Sequence, residues 1–207
     1  FFAGGFSAAD EQDGSAKFIV NILLNEKVRS AIDSFIEKGG LLIGICNGFQ
    51  ALVKSGLLPY GNFAEADDTS PTLFYNDANQ HVAKMVETRI ANTNSPWLAG
   101  VHVGDVHAIA VSHGEGKFIV TPEEFAVLRD NGQIFSQYVD GNGQPSMDSK
   151  YNPNGSMNAI EGITSRNGQI IGKMGHSERW EDGLFQNIPG NKDQKLFESA
   201  VRYFTGK

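Results

Sequence analysis

Apolar residues recur along this chain with several different rhythms, and each rhythm predicts an element. From Ser15 to Lys38, the positions Phe18, Ile22, Val28, Ile32, Phe35 and Ile36 fall at roughly helical spacing. Asn25 divides that run into two helices, and Gly39-Gly40 stops it. Residues 41–45, opening on Leu41-Leu42-Ile43, form a short unbroken apolar run of the kind that makes a buried strand. The apolar stretch through Ala51-Leu52-Val53 predicts a helix ending near Gly56. Residues 60–80 are polar and irregular, with a loop at 67–71. Further strands are predicted at Val82 to Ile90, at Ala108 to Val111 and at Ile134 to Val139. Thr121 as cap and Pro122 at the first helical position open a helix that ends near Asn131-Gly132. Residues 140–158 make a long Gly-, Asn- and Pro-rich loop. Ile160 to Thr164 and Gln169 to Met174 flank Arg166-Asn167-Gly168, a hairpin signal. An amphipathic helix from about Asp193 to Phe204 closes the chain, and a turn at Gly4-Gly5-Phe6-Ser7 followed by an acidic loop to Gly14 opens it. Helices and strands alternate with hairpins added, so the class is α/β with a mixed sheet.

Composition narrows the setting. The chain has 207 residues, 40% hydrophobic and 20% charged, enough for one sizeable core. No stretch of 18 apolar residues occurs, so no membrane span is expected. A net charge of −7 argues against a nucleic-acid surface. Cys46 is the single cysteine, which excludes an internal disulfide and fits a reducing compartment, hence cytoplasm. The chain opens on Phe1-Phe2-Ala3 without Met or a signal pattern, which reads as a strand entered partway along and hence as a piece of a longer protein.

The chemistry centres on Gly44-Ile45-Cys46-Asn47-Gly48-Phe49-Gln50, where a buried strand gives way to a helix. Glycines on both sides permit a sharp corner, and the helix behind points free N–H groups and its positive end at the sulfur, which favours thiolate. This is the cysteine form of a nucleophile elbow. The bland alternative is a buried core thiol. A cysteine nucleophile needs a base, and the base an orienting group. His81 and His102 stand in no motif, and His107 sits just before a strand. His113 and His176 each follow a strand, where α/β proteins carry their sites. His176 has Glu178 two residues on, so one short turn supplies base and orienter. The N–H of Asn47 is a natural oxyanion donor, with the N–H of Gly5 as the second. No phosphate loop, dinucleotide fingerprint or zinc-ligand spacing is present, so no metal site is expected.

Gly44-x-Cys46-x-Gly48-x-Gln50 with downstream His176-x-Glu178 resembles the class I (triad) glutamine amidotransferases. The fuller strings Cys46-Asn47-Gly48-Phe49-Gln50, His113-Gly114-Glu115-Gly116, Tyr151-Asn152-Pro153-Asn154-Gly155-Ser156 and His176-Ser177-Glu178-Arg179 are similar to the glutaminase part of the phosphoribosylformylglycinamidine synthases. The likeness runs over the whole chain, read as one glutaminase domain over 1–207. It implies a class I amidotransferase-like, flavodoxin-like three-layer fold with a mixed, mostly parallel central sheet, here lacking its first strand and helix. It implies that Cys46 attacks the side-chain amide of L-glutamine while His176, oriented by Glu178, moves the proton. By motif position Gly5 and Asn47 would hold the oxyanion, and Gln50, Ser112, Gly114 and Glu115 the α-amino and carboxylate groups of the substrate. Ammonia would pass to a synthetase domain, which carries ATP and Mg; no cofactor is expected in this domain. Ala3, Gly175 and Ser177 stand where the family usually has Pro, a change in turn rigidity that removes no reacting group. Two other readings remain: a non-catalytic binding or scaffold module on the same fold, and a different cysteine-elbow hydrolase. Gln50 and the loop 112–116 speak against the last, which would need no amino-acid cradle there.

Overall fold

A computed structural model describes residues 1–5 and 15–206. Phe6, Ser7 and the acidic loop to Gly14 lie outside the described residues.

The first helical run is divided as its pattern predicts. Helix α1 spans Lys17–Leu23 and α2 spans Glu26–Glu37. Asn25 caps α2 through its side-chain oxygen, which accepts from the Lys27 N–H at 3.1 Å. In α2 the predicted Ile32 and Ile36 turn to the core, but the buried face of α1 differs from the predicted one. Leu23 is buried and Ile19 and Val20 pack on the core, while Phe18 and Ile22 are 51% and 60% exposed. Helical spacing fixes a stripe but not which of two adjoining stripes turns inward.

Strand β1 (Leu42–Ile45) is buried at every position and runs straight into α3 (Asn47–Lys54). A short helix α4 follows at Leu57–Tyr60, inside a stretch with no clear sequence signal. The remaining elements are β2 (Thr72–Phe74), β3 (Val82–Ile90), β4 (Val106–His113), β5 (Lys117–Ile119), α5 (Pro122–Asp130), β6 (Ile134–Tyr138), β7 (Ile160–Thr164), β8 (Ile170–Lys173) and α6 (Leu196–Thr205). Thr121 caps α5 as expected, its hydroxyl accepting from the Glu124 N–H at 3.2 Å.

The main sheet has the order β1-β8-β7-β6-β3-β4, and β2 pairs with β5 in a separate two-stranded ribbon. The α/β class and the mixed sheet are as predicted, but the balance is not mostly parallel. Among the described residues, only the strands β1 and β8 pair in parallel, with Phe2 adding a parallel bridge to Gly44 on the outer side of β1. The other four neighbour pairs are antiparallel. The physical reason is the connections: a tight turn at 165–169 joins β7 to β8, and no crossover helix separates β3 from β4, so the chain reverses rather than returning in the same sense.

The sheet positions the site through two close approaches. A Cβ on Gly44 would lie 2.6 Å from the backbone of Gly48, so β1 and the first turn of α3 pack with only hydrogen between them. In β8, side chains alternate between faces. Gly172 meets Phe49 of α3 on one face, and Lys173 reaches Gln194, just before α6, on the other. The main core lies under α3, around Ile43, Ile45, Phe49, Leu52, Ile163 and Ile171.

Candidate active site

Cys46 follows β1 directly and is the N-cap of α3, with φ 54° and ψ −109°, a left-handed φ that a side chain adopts only where its surroundings hold it. The predicted strand-to-helix elbow is therefore present, with its strain at the nucleophile. Cys46 is only 6% exposed, and its thiol donates to the Ser112 carbonyl at 3.7 Å. The backbone N–H groups of Asn47 and Gly5 face the sulfur. They favour thiolate, as does the charge of Arg179, but burial outweighs them and pushes the thiol up to about 11. The helix end favours thiolate as expected, but burial, which the sequence did not show, decides the balance, and at neutral pH the resting group is a thiol.

His176 follows β8, anchored where its N–H donates to the Ala110 carbonyl of β4 at 2.8 Å. Its Nδ1 bonds the Glu178 carboxylate at 2.6 Å, so the carboxylate fixes the tautomer that leaves Nε2 as the acceptor. Among the described residues, Nε2 is buried and has no hydrogen-bond partner, which leaves it able to accept a proton. Burial works to raise the Glu178 carboxyl, but its bond to His176, with that charge and Arg179's, holds it below the usual carboxylate range. Gly4 explains how base and nucleophile come together. A Cβ there would lie 2.6 Å from His176 Cε1 and 3.1 Å from Cys46 Cβ, so both side chains crowd onto one bare α-carbon.

A narrow cleft of about 60 Å³ opens over the sulfur. Gly5, Cys46, Asn47, Gln50, Ser112, Gly114 and Glu115 all line it, so every predicted oxyanion and substrate-binding residue meets there. His113, expected near a site from its place after a strand, lines it as well, and so do Ser15 and Arg179, which were not predicted. The Asn47 carboxamide donates to the Gly5 carbonyl at 2.9 Å and pins the glycine turn beside the elbow. Gln50 donates to the backbone carbonyl of Glu115, tying α3 to the loop 112–116. The Glu115 carboxylate accepts from the Ser15 N–H at 3.1 Å and from its hydroxyl at 2.6 Å. A roomier cavity of about 310 Å³, beside Arg29, Asp33 and Phe63, carries no nucleophile, so size does not locate the chemistry.

The loop 112–116 rests on a buried layer that sequence reasoning missed. Asn76 donates to the His113 carbonyl at 2.9 Å and accepts from the Gly116 N–H at 3.0 Å. Asn154 donates to His113 Nε2 at 3.1 Å and contacts the Tyr138 hydroxyl at 3.0 Å, and the Ser156 hydroxyl donates to the Gly116 carbonyl at 3.2 Å. Asn152, Asn154 and Ser156 are fully buried, which gives the string at 151–156 a supporting role. Burial drives the pKa of His113 down to about 3, so it sits neutral in this layer. His107 lies inside β4 and is buried, and His102 is an exposed loop residue beside Asp105. Among the described residues, no three His, Cys, Asp or Glu side chains converge as metal ligands.

A sequence profile of the CobB/CobQ-like glutamine amidotransferase domain matches residues 1–204. This chain belongs to that family. The chain is 34% identical over 198 residues to the phosphoribosylformylglycinamidine synthase subunit PurQ of Gloeobacter violaceus, covering 96% of this chain and 76% of that protein. The PurQ subunit of Thermomicrobium roseum is 35% identical over 198 residues, covering 96% of this chain and 75% of its own. Among solved structures, PurLQS from Thermotoga maritima superposes with a TM-score of 0.70 at 25% identity, over 98% of this chain and 77% of that one. The expected glutamine amidotransferase domain and its fold are thus borne out. No helix among the described residues is long and apolar enough to cross a membrane.

Proposed function

We propose that this chain is the glutaminase of a phosphoribosylformylglycinamidine synthase, releasing ammonia from L-glutamine for a synthetase partner of the kind seen in PurLQS. The observation that carries the reading is the convergence at Cys46: a strained elbow thiol, two backbone N–H groups facing it, and a carboxylate-oriented imidazole with its Nε2 unengaged.

The thiol turns from the Ser112 carbonyl toward His176 Nε2, which takes its proton as Sγ bonds the δ-carbon of glutamine. Charge on the former amide oxygen is held by the N–H groups of Asn47 and Gly5. The imidazolium, stabilised by Glu178, returns the proton to the leaving nitrogen, and ammonia departs from a γ-glutamyl thioester. Water, deprotonated by His176, then releases glutamate and restores the thiol. Gln50, Ser112, Gly114 and Glu115 hold the amino-acid end of the substrate at the cleft. ATP and Mg belong to the synthetase, which amidates formylglycinamide ribonucleotide. The reducing cytoplasm, where an unpaired Cys46 stays a thiol, suits this chemistry.

The test is labelling with a diazo-ketone analogue of glutamine, read by intact mass and peptide mapping. Single modification at Cys46, blocked by L-glutamine, is expected. If Cys46 reacts with a general thiol reagent yet ignores the analogue in the assembled enzyme, the site is a non-catalytic module and the glutaminase reading fails.

A further inference from the structure

Beneath the triad lies a polar cluster that the reaction as drawn does not use. Lys173, the last residue of β8, and Glu161, in β7, face each other at 3.4 Å with both side chains fully buried. The Glu161 carboxylate accepts from the Gly175 N–H at 2.7 Å. The Lys173 ammonium donates to the Ser177 hydroxyl and to Gln194 Oε1, each at 2.8 Å, and the Ser177 hydroxyl donates to the same Gln194 oxygen at 2.5 Å. One partner therefore grips the residue before His176 and the other the residue after it. A Cβ on Gly175 would lie 2.7 Å from Ile109 and 2.9 Å from Glu161, so the backbone there is pressed onto the pair.

Taking two charges out of water costs about as much as their attraction returns, so a buried ion pair is a weak source of stability. Its geometry is another matter. Charged donors and acceptors in a dry setting hold their partners at short, directed distances. Here those partners are the two chain neighbours of the base.

Resting on the glutaminase reading above, we propose that the Lys173–Glu161 pair is a positioning device, which holds residues 175–177 so that His176 Nε2 faces Cys46. Neither residue touches glutamine.

The test uses the enzyme assembled with its synthetase. Replacing both partners, Lys173→Met with Glu161→Gln, removes the two charges at nearly constant volume. The expected result is a thermal midpoint within about 5 °C of the unmodified enzyme. KM for glutamine stays within about twofold while kcat for its hydrolysis falls about tenfold or more, because misplacing a reacting group acts on the chemical step. Ser177→Ala keeps the pair and cuts one tether, and is expected to lower kcat about threefold or more. Ser177→Thr, which restores the hydroxyl, brings the rate back. A folded double variant with unchanged kcat overturns the proposal. So does a Ser177→Ala enzyme at full rate, and that pair of variants decides alone if the double variant does not fold. An unmodified enzyme that hydrolyses no glutamine overturns the glutaminase reading, and this inference with it; that control separates the two failures.

Discussion

Cys46 joins two properties that pull against each other. Its backbone is strained so that the sulfur stands at the mouth of the sheet, yet the surroundings that hold the strain also bury the thiol and keep it protonated. In the proposed mechanism, reactivity therefore depends on proton transfer to His176 rather than on standing thiolate. The alkylation rate of Cys46 by iodoacetamide in the resting protein should rise with pH along a titration centred at about 11, against an ordinary value of 9.0. A midpoint at or below 9 would contradict the dominance of burial. Cys46, His176 and Glu178, the proposed nucleophile, base and orienting carboxylate, were legible as candidates because each lies in a short string whose spacing carries its geometry. Ser15 was not, since the fold alone delivers it: it reaches Glu115 from 100 positions away.

The elements were readable wherever a local rule had no competitor. Asn25 as the break between two helices, Thr121-Pro122 as a helix start and Arg166-Asn167-Gly168 as a hairpin turn are each found as their chemistry dictates. The ribbon of β2 and β5 was not readable, because three-residue strands show no alternation to detect. Parallel balance was also hidden, since pairing sense is decided by connections across the fold. The contact between β1 and α3 makes a sharp prediction. Gly44→Ala places a methyl 2.6 Å from the Gly48 backbone, where nothing flexible can yield. It should lower stability by about 1–3 kcal/mol, measured as a urea midpoint shift with unchanged slope. A neutral substitution would mean that the helix can move off the strand without loss.

Across the molecule, the loop 112–116 depends on a buried neutral histidine, and this couples the candidate site to acid. His113 is 3% exposed, with its pKa depressed from 6.5 to about 3 by burial first and by the neighbouring histidines second. The folded form resists protonation while the unfolded chain accepts it below 6.5. The stability this group contributes is thus full above that value and is lost as pH falls toward about 3. The slope from this residue is at most about 1.4 kcal/mol per pH unit. Urea midpoints from pH 7 to pH 4 should fall in the unmodified protein and fall less steeply in His113→Gln, whose side-chain oxygen can still accept from Asn154. Equal slopes in the two proteins would remove His113 from the account.

Gly4 has a consequence of another sort. The spacing between thiol and imidazole is set by an atom that is not there, so this position acts as a shim of zero thickness. Any residue with a side chain would wedge the imidazole away from the sulfur while leaving Cys46, His176 and Glu178 in place. A descendant of this chain could then keep every reacting group, match every motif of its relatives, and be silent.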